Sequence, residues 1–97
     1  MANICSNELH INTGDKDNQE YIIKFMNNNF DSDVEESSSD YLEIYFTSKW
    51  VFPEELMNKL YEGLPNKDDI DMTCLSIEWG CFYCQFYTCD ENGWTVE

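Results

Sequence analysis

The chain contains no arginine, and its five basic residues are Lys16, Lys24, Lys49, Lys59 and Lys67. Twenty Asp and Glu oppose them within 97 residues, leaving a formal charge of −15. Phosphate contacts need a basic patch, and none can be drawn from five scattered lysines. Direct binding of DNA or RNA is therefore excluded, and the same repulsion disfavours an anionic membrane surface. No apolar run approaches the roughly 20 residues that a membrane-spanning helix requires. Leader features are also missing: Met1-Ala-Asn-Ile-Cys5 has neither a basic segment nor an apolar one. Five cysteines in a chain without an export signal predict reduced thiols in the cytoplasm rather than a disulfide framework. Histidine occurs once, at His10. A Ser/His/Asp or Cys/His arrangement is not expected around it, because no partner is evident.

What is present is a foldable composition of single-domain size. Hydrophobic residues make up 42% of the chain and aromatics 15%, too many for an intrinsically disordered segment. Cys5, Asn7, Leu9 and Ile11 alternate with polar residues and predict a half-buried strand over 5–12. Gly14 ends it, and Asp15 or Asp17 can cap a helix. The Ile22, Met26, Phe30 series steps by four and marks that helix's buried face. Residues 31–40 are low in complexity, with Val34 as their one apolar side chain, and read as an exposed, mobile loop. Leu42, Ile44 and Phe46 define a second strand over 41–48.

A second helix starts at 52–55, where Pro53 suits a first turn and Glu54 and Glu55 suit a helix N-terminus. Its stripe is Leu56, Met57, Leu60 and Tyr61, and Gly63 stops it. Ile70, Met72 and Cys74 predict a third strand over 69–79. Gly80 breaks it, residues 82–88 form a fourth strand paired back on the third, and Trp94 to Val96 form a short edge strand after a turn at 90–93. The expected fold is α+β, in the order β-α-β-α-β-β. It is a two-layer sandwich with two helices on one face of a four- to five-stranded sheet. Right-handed β-α-β crossovers and an antiparallel final pair are expected with it.

Three segments carry a resemblance. Met1-Ala-Asn-Ile-Cys-Ser-Asn-Glu-Leu-His-Ile11 resembles the Met-Ala-Asn-x-Cys-x-Asn-x-Leu-x-Ile opening of the YubB-type ferredoxin-like domain, a family of small phage and plasmid proteins of unknown function. Phe46-Thr-Ser-Lys-Trp-Val-Phe-Pro53 is similar to its Phe-x-Thr-x-Trp-x-x-Pro segment, displaced by one residue near the front. Glu78-Trp-Gly80 and Asn92-Gly93 look like its closing hairpin. The chain departs from the family in lacking most of the longer insertion after the first helix. The resemblance implies a ferredoxin-like fold, a mobile genetic element as origin, and the cytoplasm of a bacterial host as location. It carries over no catalytic residue. The matched Asn3, Cys5, Asn7 and Trp50 have structural roles as their simplest reading, with asparagines bonding neighbouring backbone and Trp50 packing over the sheet.

Sites of chemistry are few. Cys81-Phe-Tyr-Cys84, with Cys74 and Cys89, has the thiol count of a zinc site. In a strand, however, Cys84 points to one face and Cys81 and Cys89 to the other, and Phe-Tyr is a poor sequence for the tight turn of a zinc knuckle. Asp31-x-Asp33 and Asp69-x-Asp71 offer hard oxygen ligands but lack the Gly and terminal Glu of an EF-hand loop. No nucleophile, base and orienter come together, so no enzyme, cofactor or metal is expected.

The acidic surface remains. Asp31, Asp33 and Glu35 alternate, and alternate residues of an extended chain lie about 6.6 Å apart on one side. Glu36, Asp40, Glu54, Glu55, Asp68, Asp69 and Asp71 add to them. Such carboxylates can imitate a line of phosphates. The partner expected is a basic protein, such as a nucleic-acid-binding enzyme or CRISPR-type effector. The expected action is non-enzymatic inhibition of a host defence or DNA-processing enzyme by occupation of its nucleic-acid site, the partner being reached by long-range attraction. Two alternatives stand beside it. One is a structural or accessory protein using exposed aromatics among Tyr45, Trp50, Phe52, Trp79, Tyr83 and Trp94, or a homodimer through the sheet edge near Trp94. The other is a small zinc-binding protein.

Overall fold

Alternation along the first strand decides the architecture. In the computed structural model, which describes residues 4–49, 51–78, 80 and 83–96, β1 runs Ile4–Asn12. Cys5, Asn7, Leu9 and Ile11 lose all their exposure on one side of β1. α1 follows at Lys16–Asn29. Asp15 caps it by accepting the Asn18 backbone N–H at 3.0 Å. That bond, and a second from the Asn66 side chain, hold the Asp15 carboxyl below its usual range. α1 buries Asn18, Ile22 and Met26, and Phe30 beyond its end packs on Phe46 with ring centroids 4.7 Å apart.

The acidic stretch 31–40, expected from its composition as a loop, instead carries a strand, β2, at Ser32–Ser37. β2 pairs antiparallel with β3, Tyr41–Lys49. Ser, Asp and Glu are poor strand formers, but the outer edge of β3 offers a row of backbone donors and acceptors that β2 satisfies. The expectation of exposure holds, since five of the six β2 residues are exposed. α2 spans Glu54–Glu62 and ends at Gly63, where a side chain would collide with the Tyr21 hydroxyl. Met57 and Leu60 are its buried residues, while Leu56 and Tyr61 are half-buried. β4 is Asp71–Glu78, β5 is Tyr83–Asp90 and β6 is Gly93–Val96. β4 thus begins two residues after the expected Asp69. The turn into β6 uses Gly93 at φ +97°, a left-handed conformation that glycine adopts without strain.

The order is therefore β-α-β-β-α-β-β-β rather than β-α-β-α-β-β. Six strands, not four or five, form one sheet in the order β2-β3-β1-β4-β5-β6. All five pairings are antiparallel. β1 and β2 both oppose β3, so they run in the same direction. Both helices cover one face, where Ile22, Met26, Met57 and Leu60 join Leu9, Ile11, Leu42, Ile44, Phe46 and Met72 in a single apolar cluster. Phe52 stacks on Tyr87 at 4.0 Å between centroids. Trp94 donates its indole N–H to the Met57 carbonyl at 2.9 Å. Phe52 and Trp94, expected among the exposed aromatics, are each 3% exposed and belong to the core. Tyr45 and Tyr83 are half-buried, and Trp50 and Trp79 lie outside the described residues.

Two buried asparagines organise the ends of the core. Asn7 donates to Ser48 Oγ at 3.0 Å and accepts from Ser76 Oγ at 2.6 Å. Asn18 accepts the Asn66 backbone N–H at 2.9 Å and donates to the Asn66 carbonyl at 2.8 Å, acting as one more backbone unit for the loop before β4. Removing the Asn18 amide would strand both groups of Asn66 in a half-buried setting. Asn18→Ala is expected to cost about 2 kcal/mol, read as a lower urea midpoint at unchanged slope. An unchanged midpoint would mean that water satisfies these groups at no cost.

Candidate acidic interface

The face of the sheet opposite the helices has no described element over it. Register sets its rows. One row reads Asp33, Tyr45, Glu8, Leu75, Phe86 from β2 across to β5. The next reads Glu36, Glu43, His10, Thr73, Thr88, Thr95. A third contains Thr47, Ser6, Ile77 and Cys84. Acids occupy the β2, β3 and β1 side of this face, and apolar groups the β4 and β5 side.

Glu43 is the best-held acid. His10 Nδ1 lies 2.6 Å from the Tyr41 hydroxyl, which donates to Glu43 Oε1 at 3.0 Å. His10 Nδ1 is itself 3.4 Å from that carboxylate oxygen. Burial, the Glu43 bond and the neighbouring carboxylates of Glu36 and Glu8 raise the Tyr41 pKa, keeping the hydroxyl a donor. Glu36 faces Glu43 directly across the β2–β3 pair, a like-charge juxtaposition that opposes folding.

The structure divides the acids expected to bind a partner. Asp33 and Glu36 share the open face with Glu8 and Glu43. Glu35 does not join them, because a bulge between Val34 and Glu36 makes it the unpaired extra residue. The expected alternation of Asp31, Asp33 and Glu35 on one side is thereby broken, and Asp31 lies just before β2, exposed.

A second group gathers at the end of the sheet where β1 finishes. Thr13 donates its backbone N–H to the Asp40 carbonyl and its hydroxyl to the Asp69 carbonyl, so Asp40 and Asp69 flank one residue. Asp68 precedes Asp69, and Asp71 pairs with Asn12. Asp90 and Asp71 both act on Cys89, and Glu91, Asp90 and Asp68 on Tyr61, which brings two further acids to this end. Glu54 and Glu55 are apart from both groups, exposed in the first turn of α2. A shallow cavity of about 260 Å³ at the acidic end is lined by Tyr61, Lys67, Ile70, Met72 and Cys89 among others.

Lys67 borders the acidic end beside Asp68, and the other four lysines lie away from the acidic groups. Lys16 and Lys24 lie on α1 and Lys59 on α2. Lys67 stands 5.8 Å above the Tyr61 ring, and Lys49 is at the last position of β3, opposite Ile4. Among the described residues no lysine pairs with a carboxylate, and His10–Glu43 is the one ion pair.

The thiols are dispersed. Cys74 and Cys89 face the helical layer and Cys84 the open face, as their partners Tyr87, Met72 and Ile77 require. These three cannot converge on one ion, and Cys81 lies outside the described residues. Among the described residues no three of His, Cys, Asp and Glu form a metal-binding group. Burial pushes the Cys74 thiol up to about 12, and burial with Asp90 and Asp71 does the same to Cys89. Burial also raises Cys5. Asp31 and Asp33 sit on an exposed edge, and Asp69 and Asp71 flank Ile70 at the acidic end.

Sequence reasoning passed over Glu8 and Glu43, although both stand at polar positions of clearly alternating strands. The alternation itself, combined with pairing, was the signal that could have found them. No family model, no curated protein and no solved structure matches this chain. No described helix is long and apolar enough to cross a membrane.

Two outcomes check the geometry. Glu36→Lys turns a repulsive cross-strand pair into an attractive one and is expected to stabilise the fold by about 0.5 kcal/mol, seen as a higher urea midpoint. Iodoacetamide at pH 8, followed by peptide mass mapping, is expected to modify Cys84 in the native chain while Cys5 and Cys74 react only in denaturant. Native labelling of Cys74 would contradict its burial.

Proposed function

We propose that this chain is a non-enzymatic acidic binding protein of a phage or other mobile element, acting on a basic, nucleic-acid-binding protein of its host cell. It inhibits by occupying the groove that otherwise holds nucleic acid, with carboxylates standing where phosphates would. The observation that carries this reading is the lining of the open face and of the sheet end by acids, with one lysine near them. Glu8, Asp33, Glu36 and Glu43 line the open face, and Asp40, Asp68, Asp69 and Asp71 gather at its end. Lys16, Lys24 and Lys59 lie on the helices and Lys49 at the end of β3, which leaves Lys67, beside Asp68 in the α2–β4 loop, as the one cation at the acidic end. An evenly mixed surface would serve solubility equally well. Acids gathered on an open face also raise the encounter rate with a basic partner.

A ferredoxin-like fold is part of the proposal. The segment from β1 to β4 follows β-α-β-β-α-β with the strands in the order β2-β3-β1-β4, the split arrangement of that class. β5 and β6 then extend the sheet beyond it. This supports the resemblance of the opening segment to the YubB-type domains and, through it, the mobile-element origin.

The test is capture on the tagged protein from a bacterial lysate at low and high salt, with mass spectrometry and competition by duplex DNA. A nuclease, polymerase or CRISPR-type effector is expected to be retained at low salt, released at high salt and displaced by DNA. Screening beyond about 8 Å at physiological ionic strength is the reason. A partner whose retention ignores both salt and DNA would overturn the proposal.

A further inference from the structure

The open face is not uniformly acidic. Leu75 stands opposite Phe86, and Ile77 opposite Cys84. Phe86 is 41% exposed and Ile4, at the same side of β1, is 54% exposed. Solvated apolar area costs about 25 cal/mol per Å² relative to burial, so this cluster is a surface awaiting cover. It abuts the acids without a gap, because Glu8 lies between Tyr45 and Leu75 in one row.

We infer that the open face docks an amphipathic, lysine- or arginine-rich helix of the partner protein. The apolar stripe of that helix rests on Leu75, Ile77 and Phe86. Its cations reach Glu8, Glu43 and Glu36. The dimensions agree. From β5 to β3 is three strand spacings, roughly 14 Å, while a helix with side chains is about 10–12 Å across. One helix lying along β4 therefore covers the apolar side and brings its basic flank over the acids. The opposite face already holds α1 and α2 by the same sheet-to-helix packing. Charge complementarity chooses the occupant: a second copy of this chain would set carboxylates against carboxylates, and a nucleic acid would set them against phosphates. The inference rests on the acidic-partner reading and names the surface and the shape that it recognises.

The test titrates the isotopically labelled full chain with a synthetic Lys/Leu amphipathic helix. A Lys/Gln helix of equal charge is the control, and amide shifts are followed by NMR. The Lys/Leu helix is expected to bind at least about tenfold more tightly, a margin of roughly 1.4 kcal/mol. Perturbed amides should centre on Glu8, His10, Leu75 and Phe86. Phe86→Ser leaves the charge at −15 and is expected to erase the margin with an unchanged circular dichroism spectrum. Glu8→Gln with Glu43→Gln should weaken binding more than Glu54→Gln with Glu55→Gln, which removes the same charge. Equal, salt-sensitive binding of both peptides, or shifts centred on Glu54 and Asp68, would overturn the docking face and leave the acidic-partner reading standing. No binding of either peptide at low salt would overturn both. A dimer by light scattering that Phe86→Ser dissolves would overturn the docking face in favour of a second copy.

Discussion

β1 hydrogen-bonds to β3 along one side and to β4 along the other, so both halves of the sheet take their register from it. A slip of one residue would turn Cys5, Asn7, Leu9 and Ile11 outward and bring Glu8 and His10 beneath the helices. Burying an ionised carboxylate without a partner costs several kcal/mol. The strand thus has one tolerable register, and the neighbours inherit it. The composition of the open face is a consequence: Tyr45 and Leu75 flank Glu8, and Glu43 and Thr73 flank His10, because the core side of β1 admits no other pairing.

The same partition explains how so acidic a chain folds. Net charge destabilises the compact state through self-repulsion. The apolar cluster between helices and sheet opposes it, and most carboxylates sit where water screens them. Where acids crowd, local chemistry softens the conflict. The Tyr41 hydroxyl donates to Glu43, with His10 bonded to that hydroxyl, and the Asn18 N–H and the Asn66 side chain donate to Asp15. Polar groups inside the core are committed to one another, as with Asn7, Ser48 and Ser76. Each such network costs little while complete and much when broken.

Most of the architecture was legible in the sequence because its signals are local. Period-2 alternation marked β1, β3 and β4, the break at Gly80 set off β5, a step of four marked α1, and Pro53 and Gly63 bracketed α2. β2 was not legible, since Ser32 to Ser37 has neither alternation nor strand-forming composition. It is a strand because β3 has an edge to pair, a fact of tertiary structure. The bulge at Glu35 was hidden for the same reason, and with it the choice of Glu36 over Glu35 for the open face. Nothing near Asn18 announced that it would pair with Asn66, 48 residues on. Six of the eight acids of this surface, Asp33, Glu36, Asp40, Asp68, Asp69 and Asp71, were named in advance from charge runs. Glu8 and Glu43 escaped because each is a lone acid in a strand, and cross-strand neighbours are invisible to a linear reading.

The two borders of the sheet differ in their tolerance of growth. β2 presents a row of exposed acids and a bulge that kinks its outer rim, and an incoming strand from another chain would meet like charges and a broken ladder there. β6 is short but regular, with Thr95 and Val96 exposed and its outer edge unpaired among the described residues. Templated addition of strands, whether in crowded expression or in an aggregating preparation, is thereby confined to one direction. Were copies of a chain to add at one border alone, they would close as a pair and not propagate as a fibre.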